Sequence, residues 1–226
     1  MISLDNVIWQ ALTTRHSGFS QGAGNVRRFM PEVGPLAAFT GDEDKGYDDL
    51  YALTHNGGAM GIFSVNTFAP RKGWEIFATA PLFRMVREKP LEDKTVNLVP
   101  LAKLGAADSA EMMELTALVK PGPFSTRTHE LGDFYGIRVD GKLVAMAGER
   151  LKVPGHTEVS AVCTHPDHIG KGYAAAAMRQ VIAGIEKRGE TPFLHVRGDN
   201  DRAVELYERL GFRTLWKGHF AAFRKE

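Results

Sequence analysis

Residues 158–178 read EVSAVCTHPDHIGKGYAAAAM, an apolar run, a polar loop and an alanine-rich amphipathic run in succession. Gly170 and Gly172 fall where the first run has ended and the second begins. Two glycines let backbone approach an anion closely. The first N–H groups of the helix that follows have no partner within it, and its dipole adds positive potential. Lys171 supplies a further positive group. The chemistry this arrangement favours is pyrophosphate binding. Two other readings stay open on the loop alone. One is a helix start that uses glycine only to turn. The other is a dinucleotide site, since Gly170-x-Gly172-x-x-Ala175 fits the glycine pattern of nucleotide folds, although His165, Pro166, Asp167 and His168 separate it from the strand.

A second segment, NDRAVELYERLGF, spans residues 200–212 and places Asn200, Ala203, Tyr207, Gly211 and Phe212 at the spacing N-x-x-A-x-x-x-Y-x-x-x-G-F. This spacing resembles the C-terminal signature of the general N-acetyltransferase (GNAT) superfamily, and the glycine loop resembles that superfamily's acyl-CoA pyrophosphate loop, Q/R-x-x-G-x-G/A. Aligned on it, the loop positions are Ile169, Gly170, Lys171, Gly172, Tyr173 and Ala174, and Ile169 departs from the Gln or Arg of the pattern. Two motifs about 30 residues apart in the right order make the resemblance specific to residues 98–226. The wording of EVSAVCTHP, GYAAAAM and FLHVR is similar to a branch that includes glycine N-acyltransferase-like proteins, whose N-terminal half is often a degenerate copy of the same fold.

The resemblance implies acetyl-CoA as acyl-donor co-substrate, no metal, and direct transfer to a primary amine of a small molecule. It assigns acyl-CoA binding to the loop, to Asn200 and Ala203, and to the backbone of Val162, Cys163 and Thr164 on a bulged strand. It gives Tyr207 the role of protonating the departing thiolate, which suits a phenol of pKa about 10. Glu158, in an otherwise apolar strand, is the candidate base, directly or through water, with a carboxyl pKa expected to rise by burial. Glu149 is the second choice. His195 and Arg197 share one face of a short strand and are candidates for the acceptor site, Arg197 to hold a carboxylate. Each has a structural alternative: a strand-end charge for the two glutamates, a buried histidine and an edge arginine for the other pair. A non-catalytic acyl-CoA-binding module is the rival reading of the whole.

The elements needed to position these residues follow from periodicity. Residues 173–187 carry Ala174, Met178, Val181, Ile182 and Ile185 on one helical face, and residues 201–210 form a helix capped by Asn200 or Asp199. Residues 134–139 and 143–151 flank Asp140-Gly141, a hairpin signal. Residues 157–164, 193–196 and 215–223 read as strands, and 101–118 as helical. The earlier part reads as a helix at 7–14 capped by Asn6, strands at 26–30 and 35–40, a helix at 48–53 and strands within 60–86. Arg27 and Arg28 read as a solvated strand, and Phe63, Trp74, Phe77 and Phe83 as an N-terminal core. The expected fold is α/β (α+β): a GNAT domain at 98–226 with a mixed, mostly antiparallel, splayed sheet, preceded by a smaller α+β domain at 1–97 that walls the acceptor pocket or dimerises.

Composition sets outer bounds. The 226 residues carry 28 Lys+Arg against 27 Asp+Glu, a net charge of +1 that gives no global field toward nucleic acid or an anionic membrane. The lone Cys163 excludes an internal disulfide and fits a reducing cytoplasm. No apolar stretch reaches the roughly 18–20 residues of a membrane span, and His165 and His168 lack a second pair at zinc-ligand spacing.

Overall fold

The computed structural model describes residues 4–88 and 99–226. The chain opens with α1 (Val7–Thr13), β1 (Ser20–Gln21), β2 (Val26–Phe29), β3 (Ala37–Phe39), α2 (Glu43–Leu53), β4 (Ala59–Ser64) and the long β5 (Trp74–Arg87). It continues with β6 (Ala102–Leu104), α3 (Ser109–Val119), β7 (Phe134–Val139), β8 (Lys142–Val153), β9 (His156–Thr164), α4 (Tyr173–Lys187), β10 (Thr191–Arg197), α5 (Asp201–Arg209) and β11 (Phe212–Lys225). The fold is mixed α+β, as expected. Strands β1 to β3 form a small sheet, and the other eight form one large sheet in the order β4-β11-β5-β10-β9-β8-β7-β6. Every pair in it is antiparallel except β9–β10.

Local chemistry accounts for the regular pieces. The β7–β8 hairpin turns on Asp140 and Gly141, both at positive φ (50° and 80°), the conformation of a type I′ turn. Helix α4 buries Ala177, Met178, Val181, Ile182 and Ile185, and with α5 it covers one face of the sheet against Met85, Leu194 and Val196. The alternate residues Val86 and Phe193 point to the opposite face, where Val7, Ile8, Ala11 and Leu12 of α1 pack on them. Asp42 caps α2 by accepting from the Lys45 N–H at 2.8 Å.

Several expectations are corrected. The boundary expected between residues 97 and 98 lies outside the described residues, but β4 and β5 from the first part are strands of the same sheet as β10 and β11. The described residues on the two sides of the expected boundary thus contribute strands to one sheet. The run 101–118 splits at Gly105 into edge strand β6 and helix α3, because a short antiparallel pairing with β7 claims Ala102–Leu104. Asn6 precedes α1 without capping it; its Nδ2 donates instead to Phe39 O at 2.7 Å and ties α1 to β3. Arg28 is buried, donating to Thr54 Oγ1 and to the carbonyls of Phe29 and Ala59. Trp74 does join a core with Tyr47 and Phe223, whereas Phe83 packs on the α4–α5 side and Phe77 is exposed. Among the described residues no helix is long and apolar enough to cross a membrane.

Candidate active site

Strands β9 and β10 run parallel only over Thr191↔His156, Pro192↔Thr157 and Phe193↔Glu158, and then diverge. On its other side β9 loses register with β8 between the pairs Met146↔Cys163 and Gly148↔Ser160, so Ala147 faces two residues. The extra residue is accommodated at Ala161, which takes φ +52°, an unusual conformation for a residue with a Cβ. The bulge turns the end of β9 away from β10. Val162, Cys163 and Thr164 lie on the diverging segment, and the Thr164 hydroxyl is buried there without a hydrogen-bond partner. Such an orphan is the kind of group a bound molecule satisfies.

The glycine loop meets the splay from the α4 side. Gly170 and Gly172 have φ +85° and +76°, and Gly172 immediately precedes α4. A Cβ at either position would meet nothing within 4 Å, so the loop faces open space. Lys171 Nζ lies 3.2 Å from His168 Nδ1, and the His168 ring stacks on Tyr173. Ile169 is exposed beside the loop. With no acidic residue in its first turn, α4 presents unpaired N–H groups to that space. Loop, helix and orphan hydroxyl are the groups that the family resemblance assigns to the phosphate end and arm of an acyl-CoA.

On the α5 side, Asn200 Oδ1 accepts from the Ala203 N–H at 3.2 Å and caps the helix, so its carbonyl is committed to structure. Tyr207 is 9% exposed and packs among Phe212, Val196 and Leu210. Burial pushes its phenol up to about 12, so it holds its proton firmly and acts as a neutral donor more readily than as a full acid. Cys163 is buried and burial lifts its thiol to about 12, leaving it inert.

The acceptor-side expectations change most. Glu158 is 0% exposed. Burial alone would raise its carboxyl, but the charge and hydrogen bonds of Arg150, with the hydrogen bond of His195, hold it well below the usual carboxylate range. Arg150 Nε and Nη2 donate to Glu158 Oε2 and Oε1 at 2.8 and 2.7 Å, Leu151 N–H donates to Oε2 at 3.2 Å, and His195 Nδ1 lies 2.7 Å from Oε1. Four donors fill the four lone-pair sites of a carboxylate, so Glu158 has none left for a substrate proton. The expected rise in its pKa is reversed. Glu149 is buried too, bound by Arg188 and Lys152 at 2.7 Å each, and anchors the end of α4. The Arg197 side chain is 63% exposed and paired with Asp199, and it does not line the cavity described below.

His195 does lie at the splay, two residues past Phe193. Its Nε2 accepts from Arg84 Nε at 3.0 Å, so the proton resides on Nδ1 and is donated to Glu158. Burial draws its pKa down to about 4. Beyond it, Arg84 stacks on Trp216, 4.7 Å from the ring centroid. Arg84 and Trp216 line a cavity of about 400 Å³ closed by α1, β3 and β4, with Phe63 between it and His195. Arg84 was missed by sequence reasoning. Its signal was two arginines, Arg84 and Arg87, in the otherwise apolar stretch 80–87.

A parallel pair that splays beside a bulge, a glycine loop at a helix start and a buried tyrosine on the next helix are the features that the resemblance to GNAT acyltransferases leads one to expect. Residues 134–221 match the family model described as FR47-like protein. Over 128 residues the chain is 32% identical to the N-alpha-acetyltransferase RimI of Mycobacterium tuberculosis, covering 52% of this chain and 80% of that one. A solved structure from Novosphingobium aromaticivorans, described as an acetyltransferase from the GNAT family, matches with a TM-score of 0.89 at 36% identity over 97% of this chain and 96% of its own. A GCN5-related N-acetyltransferase from Kribbella flavida shares the fold with a TM-score of 0.61 at 19% identity, over 96% and 95% of the two chains. The chain belongs to the GNAT acetyltransferase family, whose members use acetyl-CoA as co-substrate. The nucleotide-fold reading of the glycine pattern fails on context, since among the described residues the βαβ unit β9–α4–β10 stands alone in an otherwise antiparallel sheet.

Proposed function

We propose that this protein transfers an acetyl group from acetyl-CoA directly to the primary amine of a small molecule. The observation that carries this reading is the divergence of β9 and β10 after Phe193↔Glu158, with the Ala161 bulge beside it. Acetyl-CoA supplies an activated acyl carbon as a thioester. The backbone N–H groups of Gly170 to Ala174 and Lys171 hold the pyrophosphate, and the diverging segment Val162–Thr164 aligns the arm. Tyr207 donates a hydrogen bond to the negative charge that develops on sulfur. The amine nitrogen forms the new C–N bond as the C–S bond breaks, and the departing thiolate takes up a proton to leave as free CoA.

Glu158 and His195 do not act as the base. The Glu158 lone pairs are filled, and the one basic lone pair of His195 is held by Arg84. Arg84 and Arg150 set two positive charges against the single carboxylate of Glu158, and the surplus positive charge disfavours an ammonium nearby. The acceptor thus enters as the neutral amine and its proton leaves through water. The cavity walled by α1, β3 and β4 favours a small acceptor over a polypeptide. The RimI likeness favours a second reading, an α-amine at a peptide N-terminus. The finer placement beside glycine N-acyltransferase-like proteins belongs to this proposal as well. A panel of amines and short peptides with acetyl-CoA, read by free-thiol release, tests it. Release with small amines supports the reading, release with peptides alone favours the second, and saturable binding of acetyl-CoA without any turnover favours a binding module.

A further inference from the structure

Arg84 is 5% exposed, and burial draws its guanidinium down to about 10 against the opposing pull of Glu158 and Asp5. Its Nε is spent on His195 and one face on Trp216. Among the described residues its two terminal nitrogens make no ion pair and no hydrogen bond, and Arg84 lines the cavity. The other charged residues lining that cavity, Asp5 and Glu43, are exposed at its rim.

The charges behind Arg84 do not balance. Arg150, Glu158, neutral His195 and Arg84 form one continuous hydrogen-bonded chain across β8, β9, β10 and β5. Arg150 binds both oxygens of Glu158, leaving Arg84 linked to that carboxylate only through an uncharged imidazole. A buried, unpaired guanidinium is costly, and a site tolerates one when a ligand completes it. The chain also fixes the guanidinium: His195 can accept from Arg84 Nε only while Nδ1–H is held by Glu158. An arginine locked at Nε presents its terminal nitrogens as a planar fork, the shape that binds a carboxylate through two parallel hydrogen bonds. Around it the cavity wall is apolar and aromatic, with Ile8, Phe39, Phe63, Phe68 and Trp216.

We infer that the acceptor amine carries a carboxylate, held by the terminal nitrogens of Arg84, and an apolar body that packs against Trp216 and Phe68. The site selects free amino acids or similar amines that carry a carboxylate. Glu158 and Arg150 act through His195 as positioning residues for this clamp. The inference rests on the acetyl-transfer reading and narrows its acceptor class.

The test pairs each amino acid with its decarboxylated amine and its carboxamide, for example phenylalanine, phenethylamine and phenylalaninamide, with acetyl-CoA and thiol detection. We expect kcat/KM to be about 100-fold higher for the carboxylate member of a pair, the scale on which a buried charged site rejects an analogue that leaves it unpaired. In Arg84→Gln the preference shrinks to within a few-fold, chiefly through KM of the acceptor, while acetyl-CoA affinity is kept. Arg84→Lys keeps part of the preference. Should these variants fail to fold, inhibition of the wild-type protein decides. Hydrocinnamate, which lacks the amine, should compete with the acceptor and not with acetyl-CoA, and hydrocinnamide should not. Equal turnover of the paired amines, or acetylation of peptide N-termini but not of free amino acids, overturns the inference and leaves acetyl transfer standing. Acetyl-CoA binding with no amine acetylated overturns both.

Discussion

His195 Nδ1 stands 2.7 Å from Glu158 Oε1, so two residues expected to act on substrate are instead bonded to each other at the edge of the splay. Both ends of the imidazole are taken, since Nε2 accepts from Arg84. The pair is a strut. It holds an arginine in place and offers no lone pair to an incoming proton.

Removing the charge at the centre of that strut should be expensive. Glu158→Gln leaves Arg150 and Arg84 buried without a carboxylate. We expect a loss of roughly 3–5 kcal/mol in stability, measured by urea unfolding. A loss below about 1 kcal/mol would show that Arg150 does not need the charge.

The two buried histidines give a pH signature. Burial draws His16 and His195 from 6.5 down to about 4. The unfolded chain therefore binds protons between pH 6.5 and 4 that the native chain refuses, so stability falls as pH falls through that window. Each histidine contributes up to ~3 kcal/mol to the change. The drop in unfolding midpoint from pH 7 to pH 4 should shrink in His16→Asn and in His195→Asn, and an unchanged slope in both would contradict their burial as neutral rings.

With the amine's proton leaving through water, as proposed, the rate should follow the acceptor. The rise of kcat/KM with pH should end at the acceptor's own amine pKa and move with it between two acceptors of different basicity. A break that stays at one pH for both acceptors would reveal a titrating protein group.

Tyr207→Phe removes a hydroxyl that has no hydrogen-bond partner among the described residues, so the melting temperature should hold within about 2 °C while kcat falls roughly 10²-fold or more. Calorimetric affinity for acetyl-CoA should stay unchanged, which separates the loss from a binding defect.

Backbone conformation is equally testable. Gly172→Ala adds a methyl at φ +76°, pointing into the space ascribed to phosphate, and should weaken acetyl-CoA binding about tenfold. Ala161→Val places a β-branched residue at φ +52°, and should cost roughly 1–3 kcal/mol and flatten the bulge, with loss of turnover.

How far the sequence could be read depended on the range of the interactions. Helices α4 and α5 and the Asp140-Gly141 hairpin follow from local periodicity and turn chemistry, and the sequence places them within a residue or two. The long β5 is visible as an apolar run, but its neighbours β10 and β11 lie more than a hundred residues away, and no local pattern specifies that pairing. The fate of Glu158 was within reach. Arg150 and Glu158 flank the Pro154-Gly155 turn of the β8–β9 hairpin, so a cation and an anion face each other across a short connection. Reading the carboxylate alone predicted a raised pKa, and reading it with its hairpin partner predicts the reverse. Arg84 stayed hidden because an arginine in a strand is ordinarily solvated, and the His195 that holds it comes from another strand.

The insertion of β5 between β10 and β11 also dictates an order of events during synthesis. The ribosome releases Trp74–Arg87 long before either neighbour exists, so an apolar strand must wait with both edges unpaired. Closure of the central sheet falls to β11, because Phe212–Lys225 pairs with β4 and β5 together. The central sheet thus cannot close until β11 has been made, and a nascent chain stalled before β11 would display the strand most apt to aggregate.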